Sequence, residues 1–300
     1  MFSKTLSRSA VSVLGLVFAL SICVGLSGKI ALAENPLGFP DLPDECGNNV
    51  EFTTDFRLED CKFKTKGLNP YFILIPGYQL VLESDEEKSV ETVLYDTKKI
   101  NLDGRVIKTR VLEERAFELE VDEDTGEVEE KLIEISLNWF AICKKTNAVC
   151  YFGEESRDCP GGFDENDECE GGADPAGSWE AGVDGAMPGL MMTGTPLLGA
   201  KYFQEIAPQD AVDRGEIAAM GLAWPEELEP GEMPAFTGCI KIFDTNPTPD
   251  GECGEDDAKI YCPGVGLVQD QDLELTFYGF VDDDDDDDDD DRRKRWSWWR

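Results

Sequence analysis

Lys131 to Glu154 reads KLIEISLNWFAICKKTNAVCYFGE, the longest clean pattern in the chain. Ile133, Ile135 and Leu137 alternate with Glu134, Ser136 and Asn138. A period of two means a strand with an apolar face turned inward and a polar face turned outward. Trp139, Phe140 and Ile142 continue the apolar run, Lys145 to Ala148 supply a turn, and Val149 to Phe152 run back. A two-residue turn at Thr146-Asn147 sets Cys143 opposite Cys150. Directly opposed Cβ atoms sit ~4.5–5.5 Å apart in a ladder, close to disulfide spacing. The stretch therefore predicts a β-hairpin stapled across its own strands.

The same pattern repeats on either side. Tyr71 to Ile75 is an apolar run, Tyr78, Leu80 and Leu82 alternate with polar neighbours, and Ser89 to Lys99 and Val106 to Val121 are further strands. Polar turns at Asn101 to Gly104 and Asp122 to Gly126 join them. Beyond the hairpin, Lys201 to Glu205, Glu216 to Met220, Phe236 to Phe243, Lys259 to Cys262 and Leu273 to Phe280 are strand candidates, with Ala223 to Met233 a loop and Pro263 to Val268 a turn. Connections this short exclude parallel crossovers. The expected fold is mainly β: an antiparallel meander forming a curved sheet, half-barrel or sandwich, stapled by disulfides. Residues 34–68 read as a cysteine-closed lead-in, 69–281 as the β domain, and 155–177, rich in Gly, Asp and Glu, as an acidic surface insertion.

Residues 1–33 have the form of a signal peptide. Lys4 and Arg8 precede an apolar stretch from Val11 to Val24, and Ala31-Leu32-Ala33 stands before Glu34. The expected compartment is secreted or periplasmic; a lipid anchor on Cys23, after Leu20-Ser21-Ile22, is the alternative. The formal net charge is −37, and becomes −40 without Lys4, Arg8 and Lys29. Such a field repels nucleic acid and suits a cationic protein or divalent cations. The tail carries ten Asp (Asp282 to Asp291), then five Lys or Arg and three Trp up to Arg300. Ten adjacent Asp cannot pack, and the cationic end at Arg292 to Arg300 suits a membrane surface or a partner.

Nine cysteines follow Cys23, with no histidine in the chain. Zinc sites favour close cysteine pairs, often with His, so disulfides are expected. The pairs expected are Cys46 with Cys61, Cys143 with Cys150, Cys159 with Cys169, and Cys239 with Cys262, leaving Cys253 odd.

Six segments resemble an uncharacterised family of bacterial exported proteins and lipoproteins: NPYFILIPGYQLVLE (69–83), SLNWFAI (136–142), YFGE (151–154), GSWEAGVDGAMPGLMM (177–192), FTGCIK (236–241) and YCPGVGLVQD (261–270). The resemblance implies one β-rich domain and brings no activity with it.

The lack of His excludes Ser-His and Cys-His catalysis, and no phosphate-loop, dinucleotide or EF-hand pattern is present. Asp164, Asn166, Asp167, Glu168 and Glu170 offer hard oxygens for a weak Ca²⁺ site, though Cys169 stands where an EF-hand needs Gly. Trp139, Trp179 and Trp224 are candidates for a ligand pocket, or simply core. No cofactor is expected. The functional expectation is a monomeric, non-enzymatic, exported binding or envelope-associated protein that holds an apolar ligand or a protein partner. A carboxylate-dependent, glycosidase-like hydrolase and an acidic cation-binding surface protein are the alternatives. The leader reading predicts a mature chain beginning at Glu34. N-terminal sequencing checks it, and a lipid-blocked Cys23 would overturn it.

Overall fold

The computed structural model describes residues 52–121, 126, 128–175, 177–208, 211–225, 235–245 and 257–281. The leader, Cys23, Cys46, Cys253 and the acidic-basic tail lie outside the described residues.

The chain is mainly β. Its short first strands are β1 (Phe63–Lys64), β2 (Gly67–Asn69) and β3 (Phe72–Leu74). Then come β4 (Tyr78–Glu83), β5 (Glu87–Leu102), β6 (Arg105–Val121), β7 (Val128–Cys143) and β8 (Val149–Asp158). The second half supplies β9 (Trp179–Glu180), β10 (Gly189–Met192), β11 (Lys201–Phe203), β12 (Arg214–Trp224), β13 (Phe236–Thr245), β14 (Asp257–Cys262), β15 (Gly266–Asp270) and β16 (Leu273–Phe280). Strands β4 to β8 form one meander and β11 to β16 another, and β16 pairs antiparallel with β4 to join them into one sheet. That sheet is not closed into a barrel. Its two edges nevertheless approach, where Met187 N–H donates to the Ile206 carbonyl at 2.8 Å. At Gly189 a Cβ would fall 1.8 Å from the Gln204 carbonyl oxygen, so only glycine lets this seam close.

Two expectations about the central hairpin are corrected by its register. Ile142 pairs with Val149 and Ala141 with Cys150, so Cys143 is not opposite Cys150. The reason is the turn: Asn147 N–H donates to the Cys143 carbonyl at 2.8 Å, making the loop longer than two residues and sliding the register by two. Cys143 instead lies opposite Phe63 of β1 and is bonded to Cys61. Cys61 is therefore not the partner of Cys46, and Cys150 is a buried free thiol. Burial pushes that thiol up to about 12, so it stays protonated and inert. The Cys159–Cys169 and Cys239–Cys262 bridges are present as expected.

The faces of β7 also differ from the simple reading. Ser136 and Asn138 are as buried as Ile135. The polar face of this strand looks into the fold, while on the other side Leu132, with Phe117 of β6, borders residues 159–170. Cys159 N–H donates to the Ile133 carbonyl and Phe163 N–H to that of Leu132. The acidic insertion is thus the cover of an apolar outer face; β8 itself runs on to Asp158.

One bulge in β5 has a specific support. Val93 pairs with Leu112 and Thr97 with Arg110, so residues 94–96 have no ladder partner on β6. The buried Arg110 guanidinium donates to the carbonyls of Leu94 (3.2 Å), Tyr95 (2.5 Å) and Asp96 (3.1 Å), and its Nε to that of Thr65 (2.9 Å). These carbonyls are only part-buried, so each lost hydrogen bond costs about 0.5–1.5 kcal/mol. Replacing Arg110→Met is expected to lower unfolding free energy by about 3 kcal/mol. Denaturant melts test this, and a loss below about 1 kcal/mol would show that water satisfies the bulge.

Candidate functional site

The inward positions of the strands are not uniformly apolar. On β5 they are Ser89, Glu91 and Val93; on β6 they are Leu112 and Glu114; on β7, Asn138 and Phe140. Glu91 is paired directly with Glu114, and Leu112 with Asn138. Of these, Glu91, Leu112, Glu114, Asn138 and Phe140, with Asp244 of β13 and Lys259 of β14, line a chamber of about 220 Å³.

Local backbone irregularities bring further acids to it. Tyr151 and Glu154 are three apart in one strand and would ordinarily face opposite ways. Between them the register against β7 shifts, with Phe140 opposite Tyr151 and Asn138 opposite Glu154. Gly153 takes φ +127° there, and its missing Cβ would stand 2.3 Å from the Trp179 carbonyl oxygen. The bulge turns both side chains into the chamber. Gln204 and Glu205 follow the end of β11, where the Asp213 carbonyl accepts both of their N–H groups (2.8 and 3.2 Å). Strand alternation is broken at that point, and both side chains are buried at the chamber wall with Asp213.

The chamber wall thus holds six carboxyl groups and one lysine. Lys259 pairs with Asp244 at 3.1 Å and with Asp270 at 3.4 Å. Burial works against its charge, but these two carboxylates outweigh it and hold the ammonium well above its usual range. The remaining acids are less well provided. Burial, then the charge of Glu114, pushes Glu91 up to about 8. Burial first pushes Glu154 up to about 7, against a hydrogen bond from Tyr151, with Asp213 adding to the rise. Glu205 is raised well above the carboxylate range by burial and by Asp213, with which it shares a side-chain hydrogen bond. Glu114 is raised by burial and by Glu134, although the Ser89 hydroxyl donates to it at 3.1 Å. Tyr151 OH lies between the Asn138 side-chain oxygen and Glu154 Oε2, 2.9 Å from the latter. Gln204 leans towards Asp244, yet its Nε2 and Asp244 Oδ1 make no hydrogen bond of ordinary geometry.

The sequence candidates are placed elsewhere. Trp139 is buried on the opposite face, with Lys98 Nζ 3.2 Å from its ring centre. Trp179 backs Tyr151 edge-on at 5.3 Å, and Trp224 stacks on Phe236 while donating to Gln269. None of the three lines the chamber. In the 164–170 loop, Asp164 accepts the N–H groups of Asn166 and Glu168, both at 2.9 Å, and caps its own turn. Asp167 is held by Arg115 at 2.5 and 3.0 Å. Glu168 and Glu170 flank Cys169, and Glu165, Glu168 and Glu170 line an open surface groove with Asp164. Among the described residues, no group of three or more acidic or thiol side chains is placed to hold a metal ion.

Sequence reading missed Glu91, Glu114, Glu205, Asp213 and Asp244 because acids abound and face cannot be assigned without the fold. It did single out SLNWFAI and YFGE, which contain Asn138, Tyr151 and Glu154, but for likeness rather than chemistry. Comparison with known proteins finds no matching family model, no similar curated protein and no similar solved structure.

The raised carboxyl groups set the pH dependence. Their protons are held more tightly in the folded chain than in the unfolded one. The stability they allow is complete below their ordinary value of 4.5 and is lost as pH rises through about 7 for Glu154 and about 8 for Glu91. The melting temperature is expected to fall between pH 5 and 8, and Glu91→Gln with Glu154→Gln to flatten that fall. Thermal melts across this range check it; a flat or rising wild-type profile would contradict the assignment.

Proposed function

We propose that this chain is an exported, non-enzymatic binding protein that takes a small organic cation of the primary ammonium class into the chamber. The observation that carries this reading is the imbalance of six wall carboxyls against one lysine already paired. A buried carboxylate must be neutralised by a proton or by a cation. An ammonium group has three donors and a full charge, and charge-assisted hydrogen bonds are about twice as strong as neutral ones. Glu154, Glu205 and Asp213 supply the acceptors, and Phe72, Leu112, Phe140 and Met191 supply apolar walls. An organic cation suits this dispersed set of acids better than a metal, which needs several oxygens converging on one point.

The three disulfides fit an oxidising compartment. Among the described residues no helix is long and apolar enough to cross a membrane. Secretion through the leader, in place of a lipid anchor at Cys23, belongs to this proposal. So does monomeric action.

The Glu205–Asp213 hydrogen bond favours a second reading, carboxyl-dependent hydrolysis, since one proton held between two acids is the starting point of acid–base catalysis. Steady turnover of simple glycosides, abolished by Asp213→Asn, would place that reading first.

Methylammonium chloride is expected to raise the melting temperature at pH 7 beyond NaCl at the same ionic strength. Calorimetric titration is expected to show binding weakened about 10- to 100-fold by Glu154→Gln, the usual worth of a charged hydrogen bond. If methylammonium matches Na⁺ in both measurements, only screening is at work and the chamber is not an ammonium site.

A further inference from the structure

Strand β16 is paired along one side and open along most of the other. Its ladder with β4 runs from Glu83–Glu274 to Tyr78–Phe280. Its ladder with β15 stops after Gln269–Glu274 and Asp270–Leu273. From Leu275 to Gly279 the side towards β15 therefore has no ladder partner among the described residues. Such an edge is a template for another extended segment. On the same stretch Phe277 and Tyr278 are 42 % and 46 % exposed, and Tyr278 meets Phe236 edge-on at 5.7 Å. Exposed apolar groups gathered in one place mark a contact surface. At the Glu274 end of the strand, residues 83–87 and 270–274 border an open groove that carries seven carboxyl groups and no lysine or arginine. Asp270 is paired with Lys259, and Lys88 lies 3.9 Å from Glu83. Asp85, Glu86, Glu87, Asp272 and Glu274 are left to meet a cation from elsewhere.

The chain carries a segment with the matching chemistry in the matching order. Arg292-Arg293-Lys294-Arg295 is followed by Trp296-Ser297-Trp298-Trp299-Arg300, beyond the described residues. In an extended chain Trp296 and Trp298 fall on one face. The spacer length also fits. Val281 and Glu274 are seven positions apart, a return of about 23 Å along a strand. The ten residues Asp282 to Asp291 span at most ~33–36 Å, enough for that return. The basic block then arrives at the groove, and the tryptophans run back beside Phe277 and Tyr278. The spacer offers charge to the basic block but no apolar surface to the tryptophans. The rim of β16 offers both.

We propose that residues 292–300 dock on β16 of their own chain, with Arg292 to Arg295 in the acidic groove and Trp296 and Trp298 over Phe277 and Tyr278. The contact covers an open sheet edge and is independent of the chamber and its ligand.

The test uses the full chain. A water-soluble carbodiimide joins a lysine amine only to a carboxyl in contact with it, and Lys294 is the one lysine of the segment. Peptide mapping of the cross-linked monomer is expected to find Lys294 joined to residues 83–87 or 270–274. Trp139, Trp179 and Trp224 are buried, so acrylamide quenching reports the three tail tryptophans. Quenching is expected to be weak in the wild type. It is expected to rise towards three of the six tryptophans in Asp272→Lys with Glu274→Lys, two exposed positions whose reversal repels the basic block. Cross-links of Lys294 to the Asp282–Asp291 spacer alone, or to no carboxyl, overturn the proposal. So do cross-links found only in a dimer, which would make a second copy the partner, and quenching that the double substitution leaves unchanged.

Discussion

A carboxyl group withdrawn from water must keep its proton or meet a positive charge, and this constraint governs the interior of the fold. In an ordinary β-sheet the inward positions are apolar and the question does not arise. Here Glu91 faces Glu114 across a ladder and Glu205 shares a hydrogen bond with Asp213. Like charges directly opposed on a sheet destabilise it, so these acids persist because they stay protonated or because something cationic joins them. Lys259, set between Asp244 and Asp270, shows how the chain solves the problem where it has a cation of its own. The Glu154–Glu205–Asp213 end has no lysine on its wall.

The scaffold is organised to keep that interior in one geometry. Two meanders are fused through β4 and β16, and the sheet's own edges are brought together at Met187 and Ile206. Its departures from regular pairing are purposeful. The β5 bulge gives three carbonyls to Arg110, while the β8 bulge at Gly153 turns Tyr151 and Glu154 to one side. The seam at Gly189 seats Gln204 and Glu205 at the chamber wall. Each is a place where a larger or less permissive side chain would collide or leave a polar group unpaired. Bulges near a site re-aim side chains in this way.

The acidic surface and the acidic interior are physically distinct. Outside, charge is solvated and partly paired, as in the Arg115–Asp167 contact that pins the insertion over the apolar outer face. There it governs solubility and long-range attraction of cations. Inside, the same residue types are desolvated and raise one another's proton affinity.

Most strand positions were legible in the chain itself, because side-chain alternation is a local pattern. The Cys159–Cys169 and Cys239–Cys262 bridges were legible for the same reason, each lying within a short loop or across neighbouring strands. The Cys61–Cys143 bridge was not, since it depends on a turn two residues longer than supposed and on a lead-in strand lying along β7. Nor was the chamber. Among 64 acidic residues, nothing local separates Glu91, Glu205 or Asp244 from a solvated neighbour. Only the tertiary fold assigns each strand a face, through bulges that reverse alternation at single residues, and burial then decides which carboxyls are free to ionise.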